Sequence, residues 1–447
     1  MAKKITFSSH FGTIAVVGGS VIGLGNIWRF PYLAGSNGGS AFIIVYIICS
    51  LMVAVPIMMS EFVIGRSTES NSFGAFKKLS NHKIWTIIGV LGLLTVFVIF
   101  SFYSVVAGWA ISFFQQAITE GFAGKNPEII QTSFTNYINS GWKPSIAAII
   151  FICLTAGVVV GGIEKGIERI NKFLMPLLVI ILLVLFAYST TLDGFEQSAS
   201  FLLKPDFSKI GFHSILSAIG QAFFSMSLGM GCMITYGSYI KPETSLSKLT
   251  FTIALSDLSV ALIAGFAIFP GVFTFGIEPT SGPTLVFQTL PMVFSKMFLG
   301  NIFGILFFFL VFIAAITSSV SMLEPLCLFC IQEFKISRVV SVLIICVFVT
   351  ILAIICAYSQ IEGSAIRLMG NNLFDTLNNF TDKISMPITA LLIVIFIGWI
   401  ANKHLFETQI TNNGTIFSKG CKLYYFLVKF FVPVILLLFV FNMFGLL

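Results

Sequence analysis

Two hydrophobic stretches far apart in this chain are each interrupted by glycine near their middle. The first reads Gly18-Gly19-Ser20-Val21-Ile22-Gly23-Leu24-Gly25-Asn26, and the second Phe223-Phe224-Ser225-Met226-Ser227-Leu228-Gly229-Met230-Gly231. Each lies within a run long enough to cross a bilayer, which takes roughly 20 apolar residues. Glycine weakens a helix. Backbone released from a helix at membrane depth is tolerated only where protein or a watery cavity receives it. Matching breaks in two halves therefore point to a substrate and ion site at the centre of a secondary transporter.

Composition agrees with that class. Of 447 residues, 57% are apolar and only 10% charged, and the mean hydropathy is +1.00. A polytopic membrane protein is implied, in contact with lipid along most of its length. Eleven candidate spans lie near 11–33, 40–64, 84–117, 145–163, 168–190, 213–240, 250–276, 297–331, 336–357, 374–401 and 423–446. The predicted fold is an all-α integral membrane protein forming one transmembrane domain over 1–447. Spans 1–5 (about 11–190) and 6–10 (about 213–401) form two halves, each opening with a broken helix. An odd number of spans per half inverts one relative to the other. Span 11 is an addition.

With the N-terminus inside, seventeen Lys and Arg residues fall on the cytoplasmic side and seven outside, with Arg29 buried between. That bias predicts a cytoplasmic N-terminus in the cell's inner, or plasma, membrane. Eleven spans then put the C-terminus outside. The net charge of +7 reflects the same bias and is no argument for nucleic acid. Cys327 and Cys330 form a C-x-x-C inside a span, read as helix packing, and no disulfide framework is expected. The outer loop 277–296 carries three prolines and is expected to form a short helical lid. The segment 402–422 is polar and is expected to be a flexible connector.

Several motifs carry a resemblance. Gly23-Leu24-Gly25-Asn26-Ile27-Trp28-Arg29-Phe30-Pro31 followed by Asn37-Gly38-Gly39, then Ser227-Leu228-Gly229-Met230-Gly231, then Thr317-Ser318-Ser319, resembles the neurotransmitter:sodium symporter family in order along nearly the whole chain. The eleven-span length looks like its bacterial amino-acid branch.

The resemblance implies a sodium-coupled symporter for a neutral, hydrophobic or aromatic L-amino acid. Its carboxylate would meet the amides freed around Leu24 and Gly25, at a half-helix N-terminus that favours an anion, and the Tyr103 hydroxyl. Its ammonium would be held by carbonyls near Val21, Phe224, Ser225 and Ser227. Gly23 stands where monoamine carriers place an aspartate, and is expected to leave space for the substrate's own carboxylate. The side-chain pocket would be lined by Ser20, Ile99, Tyr103, Phe224, Ser227, Met230, Ser318 and Met322, which suits a hydrophobic or aromatic side chain.

Two sodium ions are implied as well. The first would use the Val21 carbonyl, Asn26, Ser225, Asp257 and the substrate carboxylate. The second would use carbonyls of Gly19, Ile22 and Ala314 with the Thr317 and Ser318 hydroxyls. Asp257 stands where chloride-dependent members carry an asparagine, and Ala261 where they carry a serine, so no chloride is expected. An ionisable residue in a span is a functional candidate by default, and Asp257 is also a candidate for proton counter-transport.

Gates are expected at Arg29 with Gln221 and Asn378 outside, Asn378 replacing a family aspartate, with Asp375 and Asp382 as alternative partners. Inside, Lys4 and Phe7 replace a family arginine and tryptophan, Tyr236 and Tyr239 act as plugs, and Gln332, beside Glu333, replaces an aspartate. Glu61 is expected to receive freed donors of helix 6. Gly166 and Pro176 resemble a motif that lets the inner half of helix 5 unwind. An enzyme is not expected, because the histidines at 10, 82, 213 and 404 are scattered and no nucleophile–base pair appears. A non-transporting amino-acid sensor of the same fold is the alternative. Oligomeric state is left open.

Overall fold

The computed structural model describes residues 6–276, 285–412, 414 and 420–443. Nine continuous helices among them are long and apolar enough to span a membrane: α2 (Ser40–Thr68), α3 (Lys83–Thr119), α4 (Trp142–Val160), α5 (Ile163–Ser189), α7 (Leu246–Thr274), α8 (Gly300–Phe334), α9 (Arg338–Ser359), α10 (Leu373–Ile400) and α11 (Cys421–Met443). A tenth, α1, is a pair, His10–Val21 and Gly25–Ser36, bent by 44° at its break. The eleventh, α6, is divided into Phe212–Ser225 and Cys232–Gly237. The eleven expected spans are thus present, with the two broken ones opening the two halves.

The first half of α1 is started by Ser9, whose hydroxyl accepts the Gly12 amide at 3.0 Å. This N-cap satisfies one of the amides that no helix can pair internally. The half ends at Ile22, which turns to extended backbone at ψ 95°. In α6 the break runs through Ser227, Gly229 and Gly231, all with positive φ. Glycine adopts that conformation freely. Ser227 does so at a cost of roughly 1–2 kcal/mol, and its hydroxyl donates to the Ser20 carbonyl at 2.9 Å. The broken α6 therefore satisfies part of the broken α1. Glu61 of α2 accepts the Gly229 amide at 2.8 Å, the role expected of it.

Close packing holds these parts. A methyl on Gly65 of α2 would lie 1.9 Å from the Ile234 carbonyl, so only glycine lets α2 approach the second half of α6. On the Arg29 side, Leu285–Thr289 and the helix Leu290–Lys296 form the expected short helices. Phe287 meets Trp109 edge-on at 5.4 Å. Residues 277–284 of the expected lid lie outside the described residues.

Two details differ from expectation. The connector after α10 contains a helix, Lys403–Ile410, rather than flexible chain. Arg66 holds it, donating to Gln409 Oε1 at 2.7 Å and to the Thr244 carbonyl at 2.7 Å, and Phe406 and Ile410 are buried. The all-α expectation also misses a two-residue hairpin, Arg367–Leu368 against Asn371–Asn372. Met369 and Gly370 turn it with positive φ, as a tight hairpin requires.

The break in α6 makes a direct prediction. Gly229 has φ +70°, and a methyl there would lie 2.5 Å from the Met386 carbonyl. Gly229→Ala should destabilise by at least about 2 kcal/mol, lowering the unfolding temperature of the detergent-purified protein. Gly157→Ala, whose methyl meets nothing within 4 Å, should be neutral or stabilising by up to about 1 kcal/mol.

Candidate functional site

Asp257, in the middle of α7, is fully buried. Asn26 Nδ2 donates to its Oδ1 at 2.7 Å and Ser225 Oγ to the same oxygen at 2.5 Å. Tyr46 donates to Oδ2 at 2.7 Å. One carboxylate thus joins α1, α2, α6 and α7. Asn26 Oδ1 accepts the Gly23 amide at 3.1 Å and the Ser225 hydroxyl at 3.4 Å. Oxygens of a carboxylate, an amide and a hydroxyl converge here, a donor set that fits a hard cation. Val21, the last residue of the first half of α1, stands where helix carbonyls lose their partners. Ala261, one turn beyond Asp257, is buried and has no polar group.

A second group of oxygens lies where that half meets α8. Ser318 Oγ is 3.4 Å from the Gly19 carbonyl. Thr317 Oγ1 donates within its own helix to Ile313 at 3.2 Å and Ala314 at 3.1 Å. Ile22 ends the half here, its amide bonded to the Gly18 carbonyl at 2.6 Å. Of the five residues expected at the second sodium position, Gly19, Thr317, Ser318 and Ala314 meet at this α1–α8 contact, and Ile22 follows it in α1. Gly23 differs from expectation. A methyl there would lie 2.1 Å from Ser318 Oγ and 3.4 Å from the Ala314 carbonyl. Gly23 therefore serves a close approach of α1 to α8, and the space beside it belongs to a rotatable hydroxyl.

Beside the breaks, two buried hydroxyls have no hydrogen-bond partner among the described residues: Tyr103 and Ser20. Tyr103 faces the Leu24 amide and the Ser318 side chain, though neither completes a hydrogen bond. Ile99 and Met322 lie one turn from Tyr103 and Ser318 on the same helix faces, and both are buried, as is Met230 within the α6 break. Phe224 closes this group toward Arg29, whose guanidinium lies 4.7 Å above its ring. A methyl on Gly25 would be 3.4 Å from the same ring, which brings Phe224 against the second half of α1.

The expected gates need correction. Arg29 pairs with Asp382 of α10, not with Asn378, which is half-buried one turn earlier. Asp375 is also set aside; it is exposed and accepts from Asn372 Nδ2 at 2.8 Å. Asp382, one of the two alternative partners expected, lies one turn beyond Asn378 at the start of a π-helical turn, Thr381–Ser385. Gln221 does not meet Arg29 either. Its Nε2 donates to the Gly25 carbonyl at 2.8 Å, so it braces the broken backbone.

At the opposite end, Lys4 lies outside the described residues. Phe7 is fully buried, edge-on to Tyr236 at 6.1 Å and Tyr239 at 5.9 Å, and its amide donates to the Tyr239 carbonyl at 3.1 Å. Gln332 holds Asn71 instead, accepting from its backbone amide at 2.7 Å and its Nδ2 at 2.8 Å. The charge at this end comes from Glu324 and Arg338, joined at 2.6 and 2.9 Å, with Tyr239 donating to Glu324 at 2.7 Å. These two charged residues were missed. A glutamate before Pro325 in an apolar span was the available signal. Glu168 was missed too. It accepts the Ser8 amide at 2.8 Å and hydroxyl at 2.5 Å, and pairs with Lys172 at 2.7 Å.

The unwinding expected at Gly166 and Pro176 is absent from this structure, where α5 is wound from Ile163 to Ser189 and begins with a π-helical turn, Ile163–Glu168. Gly166 also serves a close approach. A methyl there would lie 2.2 Å from the Val158 carbonyl, in the tight corner between α4 and α5. Pro176 lies inside the helix, where it removes one backbone bond.

Comparison with known proteins agrees with this geometry. The family model described as the sodium:neurotransmitter symporter family matches residues 4–140 and 131–446. The chain is 33% identical over 450 residues to an uncharacterised sodium-dependent transporter of Bacillus subtilis, YhdH, covering 100% of this chain and 99% of that one. It is 35% identical over 454 residues to an uncharacterised sodium-dependent transporter of Haemophilus influenzae, with 99% of each covered. The crystal structure of MhsT in complex with L-phenylalanine superposes with a TM-score of 0.91 at 37% identity, over 98% of this chain and 100% of that chain. The broken helices, the oxygen clusters beside them and these likenesses agree: the protein is a multi-pass membrane protein that belongs to the sodium:neurotransmitter symporter family.

Proposed function

We propose that this protein is a sodium-coupled symporter that imports neutral, hydrophobic or aromatic L-amino acids by alternating access. The observation that carries the reading is the pair of unpartnered buried hydroxyls, Tyr103 and Ser20, beside a break flanked by two oxygen clusters. The phenylalanine bound to MhsT supports an amino acid as the occupant. Its carboxylate would accept from Tyr103 and the amides of Leu24 and Gly25. Met230, Met322 and Ile99 provide apolar walls, and a charged side chain would find no partner there.

The first sodium would be held by Asn26, Ser225, Asp257, the Val21 carbonyl and the substrate carboxylate. Sharing that carboxylate couples the two ligands, each raising the other's affinity equally. The second would join α1 to α8 through Gly19, Ile22, Ala314, Thr317 and Ser318. The Arg29–Asp382 pair over Phe224 forms the outer gate, and Phe7 with Tyr239, Glu324 and Arg338 the inner one. Insertion is in the inner membrane, with the N-terminus cytoplasmic and the C-terminus outside, as the charge bias favours.

Transport is chloride-independent. Asp257 already supplies a negative charge between Tyr46 and Ser225, and Ala261 offers no hydroxyl. Without sodium a bare carboxylate there is costly, so Asp257 returns protonated and carries a proton outward.

Binding of a panel of labelled neutral amino acids to purified protein, in sodium and with potassium in its place, tests the reading. Sodium-dependent binding of hydrophobic members is expected; binding indifferent to sodium contradicts it, and binding without concentrative uptake in proteoliposomes identifies a sensor. Tyr103→Phe should weaken binding roughly ten- to hundredfold, the worth of one hydrogen bond to a charged group. Replacing chloride with gluconate should leave uptake unchanged, and a large loss rules out chloride independence. An inside-acid gradient should speed sodium-driven uptake, and Asp257→Asn should remove that stimulation. Stimulation that persists in the variant excludes Asp257 as the proton carrier.

A further inference from the structure

Helix α5 lies against the first half of α1, and at two glycines of α1 the atoms it presents are polar. A methyl on Gly12 would lie 1.8 Å from Glu168 Oε1, and one on Gly19 would lie 2.1 Å from Asn171 Oδ1. The two glycines are seven residues apart, on one face of α1. Glu168 is occupied by Ser8 and Lys172. Asn171 is different.

Asn171 is fully buried. Its Nδ2 donates to the Ile167 carbonyl at 2.9 Å. A carbonyl accepts only, so this bond settles which way the amide points: nitrogen toward its own helix, oxygen toward Gly19. That oxygen has no hydrogen-bond partner among the described residues. An orphaned buried acceptor costs about 1–3 kcal/mol, and asparagine is an unfavourable residue inside a helix. A leucine would avoid both costs, so packing alone does not account for this side chain.

Other oxygens lie close by. The point beside Gly19 that Asn171 Oδ1 crowds also lies 3.3 Å from Thr317 Cβ. Thr317 has spent its proton on its own helix, which leaves its oxygen lone pairs. The Gly19 and Ala314 carbonyls belong to the same α1–α8 contact. Oxygen lone pairs that face one another repel, and a hard cation relieves that repulsion by accepting lone pairs from all of them.

We propose that Asn171 Oδ1 is a further oxygen donor to the second sodium position, supplied by α5. The inference rests on that position being a sodium site, and adds a third helix to it. Sodium then holds α1, α8 and α5 together, and its departure releases the turn of α5 that begins at Ile163. Ion occupancy thereby controls the packing of α5.

The test compares Asn171→Leu, Asn171→Ala, Asn171→Asp and Thr317→Ala in the full-length purified protein. Sodium is titrated without substrate, reading the shift in unfolding temperature, and backbone hydrogen exchange of residues 163–171 is measured with sodium and with potassium. Asn171→Leu and Asn171→Ala should each raise the half-saturating sodium concentration roughly tenfold, the usual loss when a supporting ligand is removed, and should abolish sodium protection of 163–171. Asn171→Asp keeps an oxygen and should retain both responses. Two removal variants are used so that a folding failure in one leaves the other to decide. Wild-type sodium responses in the removal variants, with a shifted response in Thr317→Ala, overturn the role of Asn171 and leave the second sodium position standing. Wild-type responses in all four variants overturn that position, and this inference with it. An equal loss in Asn171→Asp shows that the side chain acts through packing, which also overturns it.

Discussion

A carbonyl or amide released from a helix inside a bilayer has no water to bond, and the protein must supply a partner. That requirement organises this molecule. The Ser20 carbonyl, freed where α1 breaks, is met by the Ser227 hydroxyl from the break in α6. The Gly229 amide is met by Glu61, and the Gly25 carbonyl by Gln221. Groups at the breaks that find no such protein partner are the ones a ligand can use. The proposed binding site thus follows from breaking two helices side by side and only partly repairing them.

The carboxylate of Asp257 extends the argument. It is fixed by three donors from three other helices, so any change in its charge or in the position of Ser225 is felt by α1, α2 and α6 together. The two ends of the bundle are closed by different means. On the Arg29 side a single ion pair lies over an aromatic ring. On the Phe7 side aromatic edges, a buried Glu324–Arg338 pair and the Ser8–Glu168 contact act together. The second arrangement joins more elements, so opening that end requires more contacts to be broken.

Much of this was legible in residue order because glycine and apolar runs speak directly about helices. The breaks at Gly23–Gly25 and Gly229–Gly231, the spans and the two oxygen clusters follow from local chemistry and resemblance. What stayed hidden depended on tertiary register. Counting residues led first to Asn378, with Asp375 and Asp382 as alternatives, and the packing of α10 against α1 selects Asp382. Gly23 read as open space, yet Ser318 from α8 approaches it. Residues 402–422 looked like a flexible polar connector, and Arg66 from α2 gives part of that segment a partner. Asn171 carried no signal, because its oxygen gains meaning only against Gly19 of another helix. Glu324 was visible and overlooked.

The central claim is that the ion and the substrate share one set of groups at the paired breaks. The most direct measurement is the sodium concentration for half-saturation, determined without amino acid and then with a saturating hydrophobic amino acid bound. The account predicts a tighter sodium affinity with the amino acid present, and the same factor for the amino acid when sodium is present. Equal sodium affinities in the two conditions would show that the sites are separate, and would contradict the account.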